Sequence, residues 1–358
     1  MEESGWRKFK IQLKKHWLTV SFVLGFFTDV MLLNRIDDFT DSLILLAYAS
    51  LATVTLILFY VGVAQKLGEK LSRLVVRYMP GVMQYSFGGL LSGMLIFYGR
   101  SGDWVTSAPF LLLILSVIFG NEFVHKRSDR LVYHISLFFI GIFSYVVLIL
   151  PVIFGVMGDL MFILSGLVAL IFVTIVVQIL FRIVPNFMRV NTRRIILVIG
   201  AIYTTLHILY FTSVIPPIPL SLTELQVVHS VTKTDNSYRL VTQTQPWWRG
   251  LPFARAELHP AAPTLSCFAR VYAPAKLHTD IYHRWQYIDA NGNWAERARI
   301  KYPIAGTNKG GYRGYTTIEN VGNGTWRCSV ETGRGQVLGR FTVNVTSDGS
   351  GQTVTRIE

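Results

Sequence analysis

The stretch GTWRCSVETGRGQVLGRFTVNV, residues 324–345, decides the fold of the second half of this chain. Its Val, Thr, Phe and Trp residues alternate with polar ones on both sides of a Gly-rich turn, which is typical of a β-hairpin. Upstream, the runs CFARVYAP, IYHRWQYID and GGYRGYTT begin at residues 267, 281 and 310 and alternate in the same way. We therefore expect an all-β sandwich of about eight short strands in roughly 130 residues. The expected strands are 225–232, 238–245, 265–273, 278–289, 294–302, 312–320, 324–332 and 336–346.

Two cysteines and the tryptophan between them indicate how the two sheets are arranged. Cys267, Trp285 and Cys328 follow one another as in an immunoglobulin-like sandwich, where a disulfide joins the sheets beside a buried Trp. Trp326 stands two residues before the second cysteine, at the place of a Tyr in antibody-type domains. A disulfide here would close a loop of about 60 residues and stabilise the domain by about 4 kcal/mol in the chain-entropy model. Two separately buried thiols are the alternative.

Long apolar runs dominate the chain before residue 215, and the composition becomes polar near residue 220. A helix needs about 20 residues to cross a bilayer. Seven stretches are candidates, at 17–34, 43–64, 84–99, 105–121, 132–154, 160–181 and 195–215. The first follows a basic leader without a small-residue cleavage site, so we expect an uncleaved span. The predicted organisation is a cytoplasmic leader (1–16), a seven-helix transmembrane domain (17–215), a proline-rich exit linker (216–224) and an extracytoplasmic sandwich (225–358).

The segments that connect these spans differ sharply in charge. The leader and the loops on its side of the membrane carry 16 Lys and Arg, whereas the opposite loops carry only Arg35 and Arg100. Because cytoplasmic loops hold the excess of basic residues, we expect the N-terminus in the cytoplasm. After seven crossings the β domain then lies outside the cytoplasm, where disulfides persist and nucleic acid is not a partner.

The net charge of the chain is +13, and the β domain has more basic than acidic residues. A basic domain beside a bilayer favours anionic partners such as lipid headgroups or acidic glycans. Solubility alone is the alternative explanation of this charge.

Ionisable side chains inside a span are costly, which makes each of them a functional candidate. Asp29 and His207 each lie 12 residues into their span, at a similar depth, where they could relay a proton or bind a cation. In the alternative interpretation, Asp29 pairs with Arg35 or Arg100 and His207 hydrogen-bonds a neighbouring helix. Glu122, towards the cytoplasmic side, has the same two interpretations.

Small residues gather on the third span. Gly89 and Gly93 are four residues apart there, which favours close packing against another helix. No strand precedes them, so they do not form a nucleotide-binding loop.

The central strand of the β domain sorts into two faces by its period of two. Tyr282 and Arg284 lie on one face, and His283 and Trp285 lie on the other. With Trp285 inward, we expect His283 to be half-buried and hydrogen-bonded. His278 is five residues from His283 and so lies on the opposite face, and no metal site is predicted.

Several of these segments resemble the bacterial family catalogued as domain of unknown function 2914. The segments FARVYAP, HRW, GGYR and GTWRCSVETGRGQVLGRFTV carry the resemblance, through His283, Trp285, Tyr312, Arg313, Gly324, Trp326, Gly335, Leu338, Gly339 and Phe341. That family usually has an apolar residue near Cys328, so the resemblance does not imply the disulfide. The first half is similar to the polytopic region that often precedes this domain, in GFFTDVMLLNRIDD, FGGLLSGMLIFYGRSG and GNEF. The resemblance implies a bacterial inner-membrane protein and little beyond that, since the family has no established activity.

Three classes of function remain. The first hypothesis is a membrane-anchored domain that binds an anionic lipid, a glycan or a periplasmic protein. Its candidate ligand-binding residues are His283, Arg284, Trp285, Arg313 and Trp326, of which the exposed arginines are preferred because both tryptophans fit the core. The second hypothesis is a transporter or an ion- or proton-coupled channel that uses Asp29 and His207. An enzyme is less favoured because the chain has no HExxH, G-x-S-x-G or Walker motif, and no cofactor is expected.

Overall fold

The structure is a computed structural model that describes residues 17–33, 39–101, 104–119, 127–215, 220–234, 237–244, 255–260, 262–273, 279–304, 311–346 and 352–357. The chain forms two compact units, the first made of Met1–Tyr98 and Ala108–Thr212 and the second of Gly99–Ser107 and Ser213–Glu358. The first is helical, and all the strands lie in the second. The leader, Glu122, His278 and the linker prolines at 216–219 lie outside the described residues.

Seven helices precede the strands in the described chain. They are α1 (Trp17–Leu32), α2 (Phe39–Val63), α3 (Glu69–Ser101), α4 (Trp104–Phe119), α5 (Arg127–Phe154), α6 (Asp159–Ile183) and α7 (Pro185–Phe211). Four of them, α2, α5, α6 and α7, are long and apolar enough to cross a membrane. Helices α1 and α4 have 16 residues each. At 1.5 Å per residue they are about 24 Å long, shorter than the roughly 30 Å hydrocarbon core. Each predicted span overlaps one helix. Length and composition support a membrane crossing for α2, α5, α6 and α7.

Two helices begin well before the spans that hydropathy marked. Helix α3 begins at Glu69 and α7 begins at Pro185, whereas the predicted spans begin at 84 and 195. The additional turns carry basic residues such as Arg73 and Arg193, which we had expected in loops. Arg is a good helix former and Pro is favoured at the first helical position, so these polar segments are helical as well. Hydropathy locates only the apolar part of such a helix.

The small residues of α3 allow a close approach to α1 and α2. A Cβ atom on Gly25 of α1 would overlap the carbonyl oxygen of Tyr85 and lie 2.9 Å from the backbone nitrogen of Gly89. A Cβ atom on Gly89 would in turn lie 2.7 Å from the ring of Tyr48 in α2. Only glycine permits backbones to approach this closely. The predicted packing face therefore lies where α1, α2 and α3 meet.

Eleven strands follow in the described chain. They are β1 (Ser221–Val228), β2 (Ser230–Thr234), β3 (Ser237–Gln243), β4 (Ala256–Leu258), β5 (Thr264–Tyr272), β6 (Thr279–Ile288), β7 (Trp294–Ile304), β8 (Tyr312–Glu319), β9 (Gly324–Thr332), β10 (Val337–Val345) and β11 (Thr353–Ile357).

The strands form three sheets. We call them the central sheet (β1-β5-β8), the five-stranded sheet (β4-β10-β9-β6-β7) and the cover sheet (β11-β3-β2). The β10–β4 pair is parallel and the other pairs are antiparallel. A disulfide joins Cys267 of β5 to Cys328 of β9, with Cα atoms 6.4 Å apart. The central and five-stranded sheets therefore face each other.

Two separate apolar cores hold the three sheets together. The larger core lies between the central and five-stranded sheets and includes Val227, Leu265, Cys267, Trp285, Ile318, Trp326, Cys328 and Val343. The smaller core lies between the central and cover sheets and consists of Val228, Val231, Leu240 and Phe268, with Tyr238 packed against it. Neighbours such as Val227 and Val228 point to opposite faces of β1, so one strand contributes to both cores. The cover sheet thus buries part of the outer face of the central sheet.

Most strands lie within a few residues of their predicted positions. The predicted strand at 225–232 is divided at His229 into β1 and β2. Strand β1 begins at Ser221, so residues 221–224, which we expected in the linker, are part of the sheet. Strands β4 and β11 were not predicted. Strand β4 has only three residues, and β11 is exposed along its whole length, so it has no buried face to mark it in the sequence.

Candidate functional site on the five-stranded sheet

Two of the candidate ligand-binding residues, His283 and Trp285, are structural. Both point inward from β6 and are fully buried. Thr316 of the facing central sheet contacts both, because its Oγ1 accepts the indole N–H of Trp285 at 3.1 Å and lies 2.9 Å from Nδ1 of His283. The hydroxyl has its own proton left to donate to that nitrogen, which fits a neutral imidazole. Burial lowers the pKa of His283 to about 3. The prediction that His283 is half-buried was therefore wrong in degree, since it is part of the core.

The disulfide lies beside these residues. Cys328 is paired with Trp285 across the β6–β9 ladder, and Cys267 is paired with Thr316 across the β5–β8 ladder. The ligand atoms of Cys267, His283 and Cys328 lie within 4.8 Å of one another. Two thiolates and an imidazole are typical zinc ligands, but cysteines bonded to each other offer no thiolate. In the disulfide form the cluster is a structural link between the sheets.

Trp326 is also a structural residue. It is 6% exposed, its ring centroid lies 5.3 Å from that of Tyr287, and its indole N–H donates to the carbonyl oxygen of Gly322 at 2.9 Å. A Tyr at this place in antibody-type domains hydrogen-bonds the backbone a few residues upstream in the same way. Trp326 therefore fixes the entry of β9 and has no face left for a ligand.

Arg313 lies on a different sheet from Arg284. It belongs to β8 of the central sheet, and its guanidinium carbon lies 5.6 Å from the ring centroid of Tyr238 in the cover sheet. The Tyr238 hydroxyl donates to the Arg313 carbonyl oxygen at 3.3 Å. The structure therefore does not bring the two preferred arginines together.

Arg284 has other arginines beside it on the outer face of the five-stranded sheet. In register across the strands, it pairs with Arg299 of β7 on one side and with Ser329 of β9 on the other. Ser329 pairs in turn with Arg340 of β10. One transverse row thus reads Arg299, Arg284, Ser329, Arg340. The Arg284 and Arg299 side chains are 37% and 35% exposed.

Acidic and aromatic side chains hold the first two arginines of this row. Arg284 Nε donates to Glu296 at 2.6 Å, and its Nη1 lies 3.6 Å from Glu331. The Arg299 guanidinium carbon lies 4.1 Å from the ring centroid of Tyr282 and Arg299 Nε lies 3.9 Å from Glu331. A stacked guanidinium with fixed partners keeps little rotamer freedom and presents its remaining N–H donors in a defined direction.

Glu331 is the centre of this arrangement. Its side chain is only 4% exposed although it lies on the outer face, because the arginines cover it. Burial raises the pKa of Glu331, while the charges of Arg284 and Arg299 oppose that shift. The carboxylate therefore positions the two guanidinium groups and is itself shielded from solvent.

The next transverse row on the same face holds another arginine that stacks on an aromatic ring. The Arg327 guanidinium carbon lies 3.9 Å from the ring centroid of Trp294, and Arg327 donates to Gln286 Oε1 at 2.6 Å and 3.2 Å. Each of the two rows thus contains an arginine stacked on an aromatic ring, and both rows lie on the same face of the sheet. We call this surface the basic face; it comprises Tyr282, Arg284, Gln286, Trp294, Glu296, Arg299, Arg327, Ser329, Glu331 and Arg340.

Sequence reasoning found Arg284 but missed the rest of the basic face. Arg299 and Lys301 are two residues apart, as are Arg327, Ser329 and Glu331 in turn. This period of two indicated which residues point outward. It did not show which of these residues lie side by side, since that depends on strand register.

The polar candidates in the helices lie in different places. Asp29 of α1 is fully buried and contacts Ser92 of α3. His207 of α7 donates from Nδ1 to the Tyr203 carbonyl oxygen at 2.8 Å and packs on Phe162 of α6. Asp29 and His207 form no hydrogen bond or ion pair with each other in the described chain.

His134 of α5 is a buried polar residue that the sequence analysis did not single out. Its Nδ1 lies 3.3 Å from the hydroxyl of Tyr60 in α2, and its ring packs on that of Phe59 with centroids 5.9 Å apart. The pairing joins two of the helices that are long enough to cross a membrane.

Comparisons with known proteins support part of this picture. Residues 278–345, which contain β6 to β10 and the basic face, match a family described as "Protein of unknown function (DUF2914)". No curated protein matches the chain. Among solved structures, the Pseudomonas fluorescens alkylpurine DNA glycosylase AlkC, bound to DNA containing an abasic site analog, is matched at 10% identity. The match covers 87% of this chain and 99% of that chain with a TM-score of 0.20, and it carries no argument.

Proposed function

We propose that this chain is a multi-pass protein of the bacterial inner membrane that displays an immunoglobulin-like sandwich in the periplasm. Its basic face would bind an anionic group of an envelope component. The observation that carries the proposal is the row of arginines centred on Arg284, held in place by buried Glu331. The membrane part rests on the four long apolar helices and on the uneven distribution of Lys and Arg along the sequence. The periplasmic placement also requires that α1, α3 and α4 cross, which makes seven crossings from a cytoplasmic N-terminus.

The strand order supports the immunoglobulin-like assignment. The central sheet pairs β5 with β8, the five-stranded sheet places β9 between β6 and β10, and the disulfide joins β5 to β9. With β5, β6, β8, β9 and β10 taken as strands B, C, E, F and G, these are the B–E and C–F–G pairings and the B–F disulfide of that fold. Trp285 on the strand equivalent to C packs against the disulfide, as the fold requires.

The arginine pair at the centre of the basic face supports an anion-binding role. Arg284 and Arg299 are direct cross-strand neighbours, and like charges in that position destabilise a sheet. Glu296 and Glu331 offset part of this repulsion, and Arg299 also donates from Nη2 to the carbonyl oxygens of Thr332 and Gly333 at 3.2 Å. Both guanidinium groups remain about one-third exposed to a ligand. A surface that destabilises the free protein and is stabilised by a bound anion is typical of a functional site.

Ser329 adds a second observation at the same row. Its side chain is buried, and its Oγ has no hydrogen-bond partner in the part of the chain that the structure describes. A buried hydroxyl without a partner costs about 1–3 kcal/mol. It lies in register between Arg284 and Arg340. Because Oγ is enclosed, an oxygen of a bound phosphate, sulfate or carboxylate could accept its proton only after the covering side chains shift.

The test uses the full-length chain in a neutral detergent. Binding of a sulfated oligosaccharide, which stands for an acidic glycan, and of glycerol phosphate, which stands for an anionic lipid headgroup, is measured by calorimetry. Loss of Arg284 and Arg299 together (Arg284→Gln/Arg299→Gln) is expected to weaken binding by at least about tenfold, since hydrogen bonds to charged groups contribute about 1.5–3 kcal/mol each.

The matched control removes the same charge elsewhere in the β unit. Arg239→Gln/Arg313→Gln changes two arginines of the cover and central sheets and is expected to retain binding at constant ionic strength. Equal losses in both double variants would mean that net charge, not the basic face, attracts the anion. No binding by the folded wild-type protein to either probe would overturn the proposal.

A further inference from the structure

Asp29 is a buried carboxyl group among neutral partners. It is fully buried between α1, α2 and α3. Its Oδ2 is hydrogen-bonded to Ser92 Oγ of α3, and the hydroxyl of Tyr48 in α2 faces the same carboxyl. The titratable group facing it is the phenol of Tyr48, and the ring of Tyr85 in α3 lies 5.8 Å from that of Tyr48, measured between centroids.

The two contacts of Ser92 allow two states of this carboxyl. Ser92 Oγ lies 2.9 Å from the carbonyl oxygen of Gly89, its own helix neighbour, and is also hydrogen-bonded to Asp29 Oδ2. A hydroxyl has a single proton to donate, whereas a carbonyl oxygen and an ionised carboxylate can only accept. Either the single Ser92 proton is shared between the two oxygens, or the carboxyl supplies a second proton, from Oδ2–H to Ser92 Oγ, so that each contact has a proton of its own.

The electrostatics of the site favour the protonated carboxyl. Within the described chain, Asp29 makes no ion pair, and its second oxygen, Oδ1, has no hydrogen-bond partner. An ionised carboxylate buried without a positive partner costs several kcal/mol or more, and such a group usually takes up a proton instead.

We propose that Asp29 is a proton-binding site inside the helical unit. It holds its proton on Oδ2 and donates it to Ser92, with Tyr48 and Tyr85 as the next hydroxyl groups. The site does not depend on His207 or on the basic face. It also differs from a salt bridge, in which Asp29 would be ionised.

The experiment is chemical modification of the full-length chain in detergent. Dicyclohexylcarbodiimide reacts with protonated carboxylic acids in apolar surroundings, and peptide mass spectrometry locates the adduct. We expect an adduct on Asp29 at neutral pH that decreases as the pH is raised, and none on Asp159, which is exposed at the start of α6. An Asp29 adduct whose yield does not decrease as the pH is raised would overturn the proposal.

A second measurement does not depend on access of the reagent. The infrared C=O stretch of a protonated carboxylic acid is expected in the wild-type protein at neutral pH and is expected to be absent from Asp29→Asn. Protection of Asp29 by Na⁺, at constant pH and ionic strength with choline as the replacement, would identify a cation site and contradict the assignment. Absence of the infrared band from the folded wild-type protein would likewise show an ionised group.

Discussion

At the residue scale, Thr316 is the polar link between the two facing sheets. One side-chain oxygen serves both the indole N–H of Trp285 and Nδ1 of His283. All three side chains are buried, so water cannot replace a lost partner. The disulfide beside them provides the covalent link between the same sheets. The centre of the sandwich is thus held by one covalent bond and one small hydrogen-bonded group.

We expect Thr316→Val to destabilise the β unit without changing its shape. Valine has nearly the same volume but offers no hydrogen bond, and each unsatisfied buried group costs about 1–3 kcal/mol. Thermal unfolding of the full-length chain, followed by the near-ultraviolet circular dichroism of its tryptophans, measures the effect. Thr232→Val, at an exposed position of β2, is the control and should leave the transition in place. A wild-type transition in Thr316→Val would contradict the role assigned to this hydroxyl.

Also at the residue scale, the burial of Glu331 makes the stability of the β unit depend on pH. Its pKa is raised in the folded protein, so the folded state binds the proton more readily than the unfolded state does. The stabilisation is fully present below the unfolded pKa and is lost as the pH rises through the raised value.

The variant Glu331→Gln should remove this dependence. The unfolding temperature of the wild type is expected to rise relative to that of the variant as the pH falls through the range in which Glu331 takes up its proton. Glu319→Gln, an exposed glutamate of β8, is the matched control. Parallel pH profiles of wild type and Glu331→Gln would refute the assignment.

At the element scale, the contact of α1 with α3 depends on glycine. Gly25 lies against the backbone of Tyr85 and Gly89, and backbone atoms cannot rotate away as the end of a side chain can. We expect Gly25→Ala to separate the two helices and to lower the unfolding temperature of the helical unit, although alanine is the better helix former by about 1 kcal/mol.

Gly200 of α7 provides the matched control for this prediction. A Cβ atom at Gly200 meets nothing within 4 Å. Gly200→Ala should therefore leave the unfolding temperature unchanged or raise it slightly. Both variants are measured by thermal unfolding of the full-length chain in the same detergent. Equal effects of the two substitutions would show that α1 and α3 are not in backbone contact.

At the scale of the whole molecule, the disulfide of the β unit bears on the cellular compartment in which that unit lies. Cys267 and Cys328 are 61 residues apart, and closing a loop of that size contributes about 4 kcal/mol in the chain-entropy model. A disulfide persists in the periplasm but not in the cytoplasm. The proposed orientation therefore predicts an oxidised pair in cells.

We expect both cysteines to resist alkylation in intact cells until a reductant is added. A reporter enzyme that is active only outside the cytoplasm, fused after residue 358, should be active. A fusion active only in the cytoplasm, or cysteines alkylated without reduction, would reverse the proposed orientation. Cys267→Ala/Cys328→Ala should lower the unfolding temperature of the β unit in either case.

The sequence by itself determined the local elements of this protein. Alternation with a period of two located eight strands and placed Arg284 on the opposite face from His283 and Trp285, and long apolar runs located the helices. These signals are read within one segment, because side-chain direction follows from backbone geometry over a few residues. Polar extensions of helices, such as the first turns of α3, lay beyond the reach of hydropathy.

Only the tertiary structure decided which residues are neighbours. It aligned Arg284 with Arg299 and Ser329, separated Arg313 from them, and placed Asp29 against Ser92. Strand register and helix contacts join residues that are distant in the chain, and a shift of one residue in register turns every side chain to the other face. The candidate sites follow from these long-range pairings, which no local pattern in the sequence encodes.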